Sequence, residues 1–324
     1  MGRQYFPDDD SDQVPDDVED SDRFTIGTRG SPLAIAQARE VAMTLVGASA
    51  GLMAAPDLLV LKTTGDVVQD RPLAEAGGKG LFTKEIDEAL RAGHCDIAVH
   101  SMKDLPTELA SGTVLGAVLP REDPRDVLIG AKSIAGLPKG ARLGTSSLRR
   151  SAQVLHKRPD VQVVQLRGNV GTRLRKIEEG QAEATLLALA GLHRLNIAAD
   201  AFTVLEPEEM LPAVAQGAIA ITCRGEDAPT RAALGRINHH RSARAVAAER
   251  ALLAALEGSC RTPIAALAEV DDDGHLTLRA ALLMPDGSKR LDATRSGSEK
   301  DAEALGRDAG AELRKNGGPA FFQH

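Results

Sequence analysis

Short apolar segments of strand length alternate with amphipathic segments of helix length along most of this chain, and this alternation restricts the fold to the α/β class. One series begins near residue 24 and a second near residue 142. Ligands of such sheets bind at the carboxyl ends of the strands, so polar residues just after each strand are candidates for a site. Strands are predicted at 24–28, 58–62, 96–100, 142–145, 161–166 and 184–189, and helices at 31–45, 81–92, 147–157 and 170–179.

The two series predict two α/β lobes followed by a smaller domain. The first lobe is predicted to comprise 24–119 and a returning segment, 217–236, with a strand at 218–223. The second comprises 125–212, so the chain passes twice between the lobes, as in a hinged clamp. Residues 240–316 predict a small α+β domain, because turns rich in Asp and Gly separate strand-like segments. That domain is predicted to contain helices at 241–256 and 299–314 and strands at 265–270, 276–283 and 290–293.

Acidic residues are concentrated at the N-terminus. Residues 1–22 contain nine acidic residues and one basic residue, a net charge of −8, whereas the net charge of the whole chain is −7. A segment with so many like charges and so few apolar residues cannot bury enough surface to offset its chain entropy. We therefore expect 1–22 to be a disordered acidic tail outside the fold.

Basic residues are concentrated between 142 and 176, which indicates a polyanionic ligand. Nucleic acid is the first class to consider, but the chain has no Trp, one Tyr and six Phe, which leaves little for base stacking. The sequence therefore predicts a small ligand rich in carboxylates or phosphates and no nucleic-acid partner. The basic residues are Arg142, Arg149, Arg150, Lys157, Arg158, Arg167, Arg173, Arg175 and Lys176.

The cysteines and the apolar segments set the expected compartment. Cys95, Cys223 and Cys260 are too few for a disulfide framework, and their spacing matches no metal site. The sequence shows no segment of signal-peptide character and no apolar segment of membrane-spanning length. We expect a cytoplasmic protein with no metal ion and no membrane partner.

Three predicted strand ends place arginines and hydroxyls at the start of a helix, at 29–31, 145–150 and 167–173. Backbone N–H groups at a helix N-terminus, with guanidinium groups beside them, bind anions. The alternative for each is a solvated surface arginine without a ligand. If all three face one cleft, anion binding becomes the better interpretation.

Two further candidate site residues, Asp104 and Cys260, are not basic. Asp104 follows the strand at 96–100; it could cap the next segment or pair with Lys103, or it could move a proton or stabilise a developing cation. Cys260 lies between Ser259 and Arg261, where small neighbours leave the sulfur accessible and a cation favours the thiolate. The alternative for Cys260 is a buried free thiol.

The chain resembles the porphobilinogen deaminases, also called hydroxymethylbilane synthases, over roughly 24–315. The resemblance rests on six strings: TRGSPLA at 28–34, GGKGLF at 77–82, DIAVHSMKD at 96–104, REDPRD at 121–126, GTSSLRR at 144–150 and LRGNVGTR at 166–173. It implies two periplasmic-binding-protein-like α/β lobes with a hinge, plus a small C-terminal α+β domain. A clamp with an internal cleft has no need of a partner, so we expect a monomer.

The resemblance further implies an activity and a cofactor. Enzymes of this family carry a dipyrromethane cofactor, built from their own substrate and held by a thioether to the cysteine that matches Cys260. They add four porphobilinogen units head to tail, with loss of ammonia at each addition, and hydrolysis releases linear hydroxymethylbilane. Each pyrrole bears an acetate and a propionate, which accounts for the many arginines.

The family's functional residues can be carried over position by position. Asp104 matches the catalytic carboxylate, which assists deamination and carbon–carbon bond formation through an azafulvene-like cation. Asp66 and Lys79 flank a glycine-rich loop that is similar to the family's lid. The cofactor-binding positions are Cys260, Lys103, Ser101, Thr145, Ser147, Arg149 and Arg150, and the substrate-binding positions are Arg29, Ser31, Gln37, Arg167, Arg173 and Arg194.

Departures from the family pattern are few. Glu75 stands where some relatives have lysine, and Ser259 stands where glycine is frequent. Two other functions fit parts of the sequence. A non-catalytic two-lobed protein that binds a small anion would share the lobes and the helix starts, and a basic RNA-binding protein would share the arginines but would need aromatic residues.

Overall fold

The structure, a computed structural model, describes residues 24–50, 53–67, 80–198, 202–257 and 262–322. The predicted tail, 1–22, lies outside these residues. The strands are β1 (Thr25–Arg29), β2 (Asp57–Leu61), β3 (Ile97–Ser101), β4 (Thr113–Val118), β5 (Asp126–Ile129), β6 (Arg142–Gly144), β7 (Gln162–Val164), β8 (Ala184–Ala188), β9 (Thr203–Leu205), β10 (Ile219–Arg224), β11 (Ile264–Val270), β12 (His275–Leu283) and β13 (Arg290–Ser298). The helices are α1 (Pro32–Ala48), α2 (Thr64–Val67), α3 (Lys84–Arg91), α4 (Leu148–Lys157), α5 (Val170–Glu178), α6 (Leu189–Arg194), α7 (Ala228–Ile237), α8 (His240–Ala255) and α9 (Ala302–Gly317).

The sheet of the first lobe has the order β2-β1-β3-β10-β4. β1 is parallel to β2 and β3, whereas β10 is antiparallel to β3 and β4. Ser31 begins α1 as predicted, because its hydroxyl accepts a hydrogen bond from the Ala34 N–H at 3.2 Å and Pro32 occupies the first turn. The parallel strands therefore bring the ends of β1 and β3 together at one edge.

The sheet of the second lobe repeats this plan in the order β7-β6-β8-β5-β9. β6 is parallel to β7 and β8, and β5 is antiparallel to β8 and β9. Its helices also begin with side-chain caps: Ser147 caps α4, and Asn169 caps α5 by accepting from the Thr172 N–H at 2.9 Å. The two lobes thus present equivalent strand ends.

The third domain is an antiparallel sheet, β11-β12-β13, packed against α8 and α9. The two helices lie unusually close because α9 carries glycines where they meet. A Cβ atom on Gly306 would lie 2.1 Å from the Ala248 carbonyl oxygen, and one on Gly310 would lie 2.7 Å from the Ala255 Cβ. Any larger residue at these positions would push the helices apart.

The predicted fold class is confirmed, and the differences concern individual elements. The short strands β4, β5 and β9 and the helices α2, α6 and α7 were not predicted from the sequence. It ended β13 at 293, whereas the strand continues to Ser298, because exposed positions of this edge strand hold polar residues that hide its period. A 3₁₀ turn, Glu299–Asp301, precedes α9, which therefore begins later than predicted.

Both chain crossings between the lobes contact the third domain. Arg121, on the first crossing, donates to both Glu249 carboxylate oxygens at 2.6 and 3.2 Å and to the Gln216 carbonyl at 2.8 Å on the second crossing. Glu249 is fully buried and also accepts from the backbone of Ala215 and Ala268. We propose the domain division 24–119 with 217–236, 125–212 and 240–316, which places one sheet in each unit.

No helix in the described ranges is both long enough and apolar enough to cross a bilayer.

Candidate active site

A cleft of about 460 Å³, including its part open to solvent, lies at the carboxyl ends of β1 and β3. β1 ends at Arg29, and Ser31 follows it at the start of α1. β3 ends at Ser101, and a single 3₁₀ turn, Met102–Asp104, follows it. The residues lining the cleft include Arg29, Ser31, Gln37, Phe82, His100, Ser101, Lys103 and Asp104.

Asp104 faces this cleft with one third of its side chain exposed. Its nearest described cation is Arg29, whose Nη1 lies 4.0 Å from Asp104 Oδ2. Arg29 in turn stacks over the Phe82 ring, with its Cζ 4.2 Å from the ring centroid. The spacing leaves the Asp104 carboxylate accessible to an N–H donor in the cleft.

Ser101 and Gln37 also meet here: the Ser101 hydroxyl donates to Gln37 Oε1 at 3.0 Å. His100, beside them, is 5 % exposed, and its Nε2 lies 3.4 Å from the Thr222 hydroxyl. Burial, assisted by the nearby Arg29 charge, lowers the pKa of His100 to about 4. Its imidazole is therefore neutral near pH 7.

Lys103 points toward the second lobe. Its Nζ lies 3.4 Å from Gln216 Oε1, on the second crossing between the lobes. Lys103 is exposed at the cleft surface, but the protein atoms that line the cleft partly desolvate its ammonium, and this desolvation lowers the pKa of Lys103 to about 8 against the opposing effect of Asp104. The positive charges of Arg149 and Arg150 also lower the pKa of Lys103, so both arginines lie near it.

Arg149 and Arg150 share one buried carboxylate, Asp126. Arg149 Nη1 lies 2.7 Å from Asp126 Oδ2, and Arg150 Nη2 lies 2.7 Å from Asp126 Oδ1. Burial by itself raises the pKa of Asp126, but the two guanidinium groups outweigh burial and hold that pKa well below its usual range. Both arginines were predicted to bind a ligand, and their pairing with Asp126 was not predicted, because β5, which begins at Asp126, was not recognised as a strand.

One polar atom of this cluster has no partner among the described residues: Arg149 Nε is buried and makes no hydrogen bond. The hydroxyls of Thr145 and Ser147 lie at the start of α4, where Thr145 Oγ1 accepts from the Ser147 N–H at 3.1 Å and Ser147 Oγ accepts from the Arg150 N–H. The end of β6 therefore combines hydroxyls, helix N–H groups and guanidinium groups, as predicted for an anion site.

The remaining predicted arginines occupy two places. Arg173 is half-buried, and desolvation, with the Arg150 and Arg167 charges, lowers the pKa of Arg173 to about 10, while Asp104 opposes the shift. This interaction places Arg173 of the second lobe near the first-lobe carboxylate. Arg194 bridges the lobes: its Nε donates to Glu40 at 2.9 Å and its Nη1 to the Gly217 carbonyl at 3.0 Å, and its Nη2 is buried with no partner among the described residues.

Other members of the basic cluster hold the second lobe together. Arg142 pairs with Glu183 and Arg158 pairs with Asp160, both at the surface. Lys157 donates to backbone carbonyls at 208 and 209. The basic cluster therefore divides into structural ion pairs and a smaller group that faces the cleft, a division that composition did not reveal.

Three predicted residues cannot be placed. Cys260 and Lys79 lie outside the described residues, and of Asp66 only the backbone, in α2, is described. Within the described ranges, no group of His, Cys, Asp and Glu side chains is arranged to hold a metal ion.

Comparison with solved structures finds distant similarity. The periplasmic VFT2 domain of BvgS from Bordetella pertussis matches with a TM-score of 0.37 and 13% identity, over 66% of this chain and 86% of that one. The substrate-binding protein of an amino-acid ABC transporter matches with a TM-score of 0.34 and 13% identity, over 66% and 90%.

Comparison with protein families and curated proteins is far more specific. Residues 24–232 match the model of the porphobilinogen deaminase dipyrromethane cofactor binding domain, and residues 243–315 match that of the porphobilinogen deaminase C-terminal domain. Porphobilinogen deaminase of Nitrobacter winogradskyi is 54% identical, over 92% of this chain and 95% of the relative. That of Paracoccus denitrificans is 51% identical over 96% and 98%, and the chloroplastic protein of rice is 54% identical over 92% and 85%. The chain belongs to the porphobilinogen deaminase family.

Proposed function

We propose that this chain is a hydroxymethylbilane synthase, which joins four porphobilinogen molecules head to tail with release of four ammonia molecules and hydrolyses the product from the enzyme as linear hydroxymethylbilane. The observation that carries the proposal is the position of Asp104. It is an accessible carboxylate at the end of β3, within 4.0 Å of Arg29 and in electrostatic contact with Arg173 of the opposite lobe. A single acid surrounded by cations suits a reaction on carboxylate-bearing pyrroles.

The residues at the end of β6 fit the dipyrromethane group after which the family's cofactor binding domain is named. Its carboxylates need several cationic and N–H donors, and the buried Arg149 Nε is a donor that still lacks an acceptor. We assign Lys103, Ser101, Thr145, Ser147, Arg149 and Arg150 to those carboxylates and Cys260 to the thioether. When bound, the group supplies the pyrrole end to which the chain of product is joined.

Asp104 is assigned the catalytic role. Ionised, it can accept hydrogen bonds from pyrrole N–H groups and stabilise the cation that develops as ammonia leaves. Arg29 on one side holds a substrate carboxylate and Lys103 on the other holds a cofactor carboxylate, and together they keep the pyrrole nitrogens turned toward Asp104. Neutral His100 contributes shape to the wall of the cleft.

The substrate carboxylates are assigned to a set that spans both lobes. Arg29, Ser31 and Gln37 line the cleft on the first lobe, and Arg173 lies opposite. Arg194, with a buried unpartnered Nη2, offers a donor at the junction between α1 and α6. Arg167 completes the set, and we retain Asp66 and Lys79 as the flanks of a lid.

We further propose that the protein acts as a cytoplasmic monomer on porphobilinogen alone. Cys95 and Cys223 are free, buried thiols, which suits a reducing compartment. The cleft is built within one chain, so the chemistry does not require a second copy.

The activity is tested by incubating the purified full chain with porphobilinogen and measuring substrate loss, ammonia and linear tetrapyrrole together. We expect four ammonia molecules for each hydroxymethylbilane formed. Tight binding of porphobilinogen without ammonia release would refute the proposal and favour the alternative, a non-catalytic two-lobed protein that binds a small anion.

A further inference from the structure

Arg250 lies on α8 of the third domain, yet its guanidinium group contacts the loop that follows Asp104. Its Nη1 donates to the Leu105 carbonyl at 3.2 Å, and its Nη2 donates to the carbonyls of Pro106 at 2.7 Å and Thr107 at 3.1 Å. Among the described residues its hydrogen bonds go to these three consecutive carbonyls and to no carboxylate. A guanidinium group that donates to three successive carbonyls holds that backbone segment in one conformation.

The same helix also contacts the apolar side of the catalytic turn. Lys103 and Asp104 lie between Met102 and Leu105 in sequence. Met102 is 1 % exposed and Leu105 is 5 % exposed. They belong to one buried hydrophobic cluster with Val246 of α8 and the strands of the third domain. The apolar residues of the turn therefore lie in a cluster that α8 helps to form, and the two charged residues between them line the cleft.

The packing and the hydrogen bonds act on the turn in complementary ways. Apolar contacts hold Met102 and Leu105 against the helix but permit sliding, because they are not directional. Three hydrogen bonds from one planar guanidinium group to backbone carbonyls fix the direction in which the chain leaves the turn. The orientation of the Asp104 carboxylate depends on that direction, since Asp104 immediately precedes Leu105.

We propose that Arg250 is a positioning residue for the catalytic carboxylate: through the carbonyls of residues 105–107, the third domain sets the orientation of Asp104 in the cleft. This inference rests on the function proposed above for Asp104. Arg250 itself does not line the cleft and touches no substrate.

The test compares Arg250→Met, which keeps the aliphatic stem, with Arg250→Lys, which keeps the charge but cannot reach three carbonyls at once. Arg158→Met is the matched control, because Arg158 Nη1 also donates to three carbonyls, those of 134, 135 and 137, in a loop that carries no assigned residue. We expect kcat to fall about 10- to 100-fold in both Arg250 variants, with KM for porphobilinogen within about twofold of wild type, because a small misplacement of a catalytic group has this effect. Arg158→Met should retain the wild-type kcat.

A second readout does not depend on turnover. The Leu105 N–H donates to the Met102 carbonyl at 3.1 Å, and the Met102 N–H donates to the Ala218 carbonyl at 3.0 Å. Hydrogen exchange at these two amides should be at least about tenfold faster in Arg250→Met than in wild type and unchanged in Arg158→Met.

The two readouts separate the possible failures. Unchanged exchange at 102 and 105, or faster exchange with wild-type kcat, would overturn the positioning role. A wild-type enzyme that does not turn over porphobilinogen would instead refute the proposed function, while exchange would still report whether Arg250 holds the turn.

Discussion

Replacing Asp126 by Asn should be among the most destabilising single changes in the second lobe. Asp126 is fully buried and accepts from Arg149, from Arg150 and from Gln216 Nε2 at 3.0 Å. The change leaves two buried guanidinium groups without an anion. Removing one partner of a buried ion pair costs about 3–5 kcal/mol, so we expect a loss of about 4 kcal/mol.

Urea unfolding followed by circular dichroism measures this loss. With an m value of about 2 kcal/mol per M, a loss of about 4 kcal/mol lowers the midpoint of the second-lobe transition by about 2 M. Glu183→Gln is the matched control, because it removes the carboxylate partner of Arg142 from an exposed pair and should shift the midpoint far less. If the two variants shifted the midpoint equally, the buried cluster would not stabilise the lobe as argued here.

The pH dependence gives an independent check of the same cluster. The folded-state pKa of Asp126 lies below its unfolded value, so its contribution is fully present above the unfolded pKa of about 4 and is lost as the pH falls below it. The difference in stability between wild type and Asp126→Asn should therefore be constant between pH 5 and 7 and should shrink in more acidic buffer. A difference that grew as the pH fell would contradict the assigned direction of the pKa shift.

Three further predictions concern the cleft. Asp104→Asn should keep the wild-type melting temperature but lose at least about 100-fold in kcat, and near-normal turnover would exclude Asp104 as the catalytic group. Since the pKa of Lys103 is about 8, Lys103 loses its charge as the pH rises through that value. The rate of cofactor attachment, measured by intact mass spectrometry, should therefore fall above pH 8 in wild type but not in Lys103→Arg. A Cβ on Gly65 would lie 2.2 Å from Phe82 Cε1, so Gly65→Ala should displace the Phe82 ring and raise KM. A Cβ on Gly47 would meet no atom outside its own helix within 4 Å, so Gly47→Ala should leave KM unchanged.

Features that depend on neighbours in sequence could be predicted well. The caps at Ser31 and Ser147 and the strand that ends before Asp104 follow from short-range patterns, and the structure contains them. Parallel packing then brings the ends of β1 and β3 to one edge, so much of the first-lobe side of the cleft could be predicted from the sequence.

Features that depend on distant residues could not be predicted. Nothing near Arg149 in sequence shows that it pairs with Asp126, 23 positions away, and Arg121 meets Glu249 across 128 positions. Arg250 is a plain helical arginine in sequence, and its contact with the catalytic turn exists only because α8 packs beneath Met102 and Leu105. The short strand β5 is a four-residue apolar segment that periodicity cannot assign.

The most direct test of the central claim is an intact mass spectrum of the full chain after incubation with porphobilinogen under reducing conditions, beside the variants Cys260→Ser and Cys223→Ser. We predict that wild type and Cys223→Ser gain the mass of two porphobilinogen units less two ammonia molecules, and that Cys260→Ser gains none. A wild type that stays unmodified in the presence of substrate, or the same added mass on Cys260→Ser, would contradict the assignment of a dipyrromethane cofactor to Cys260.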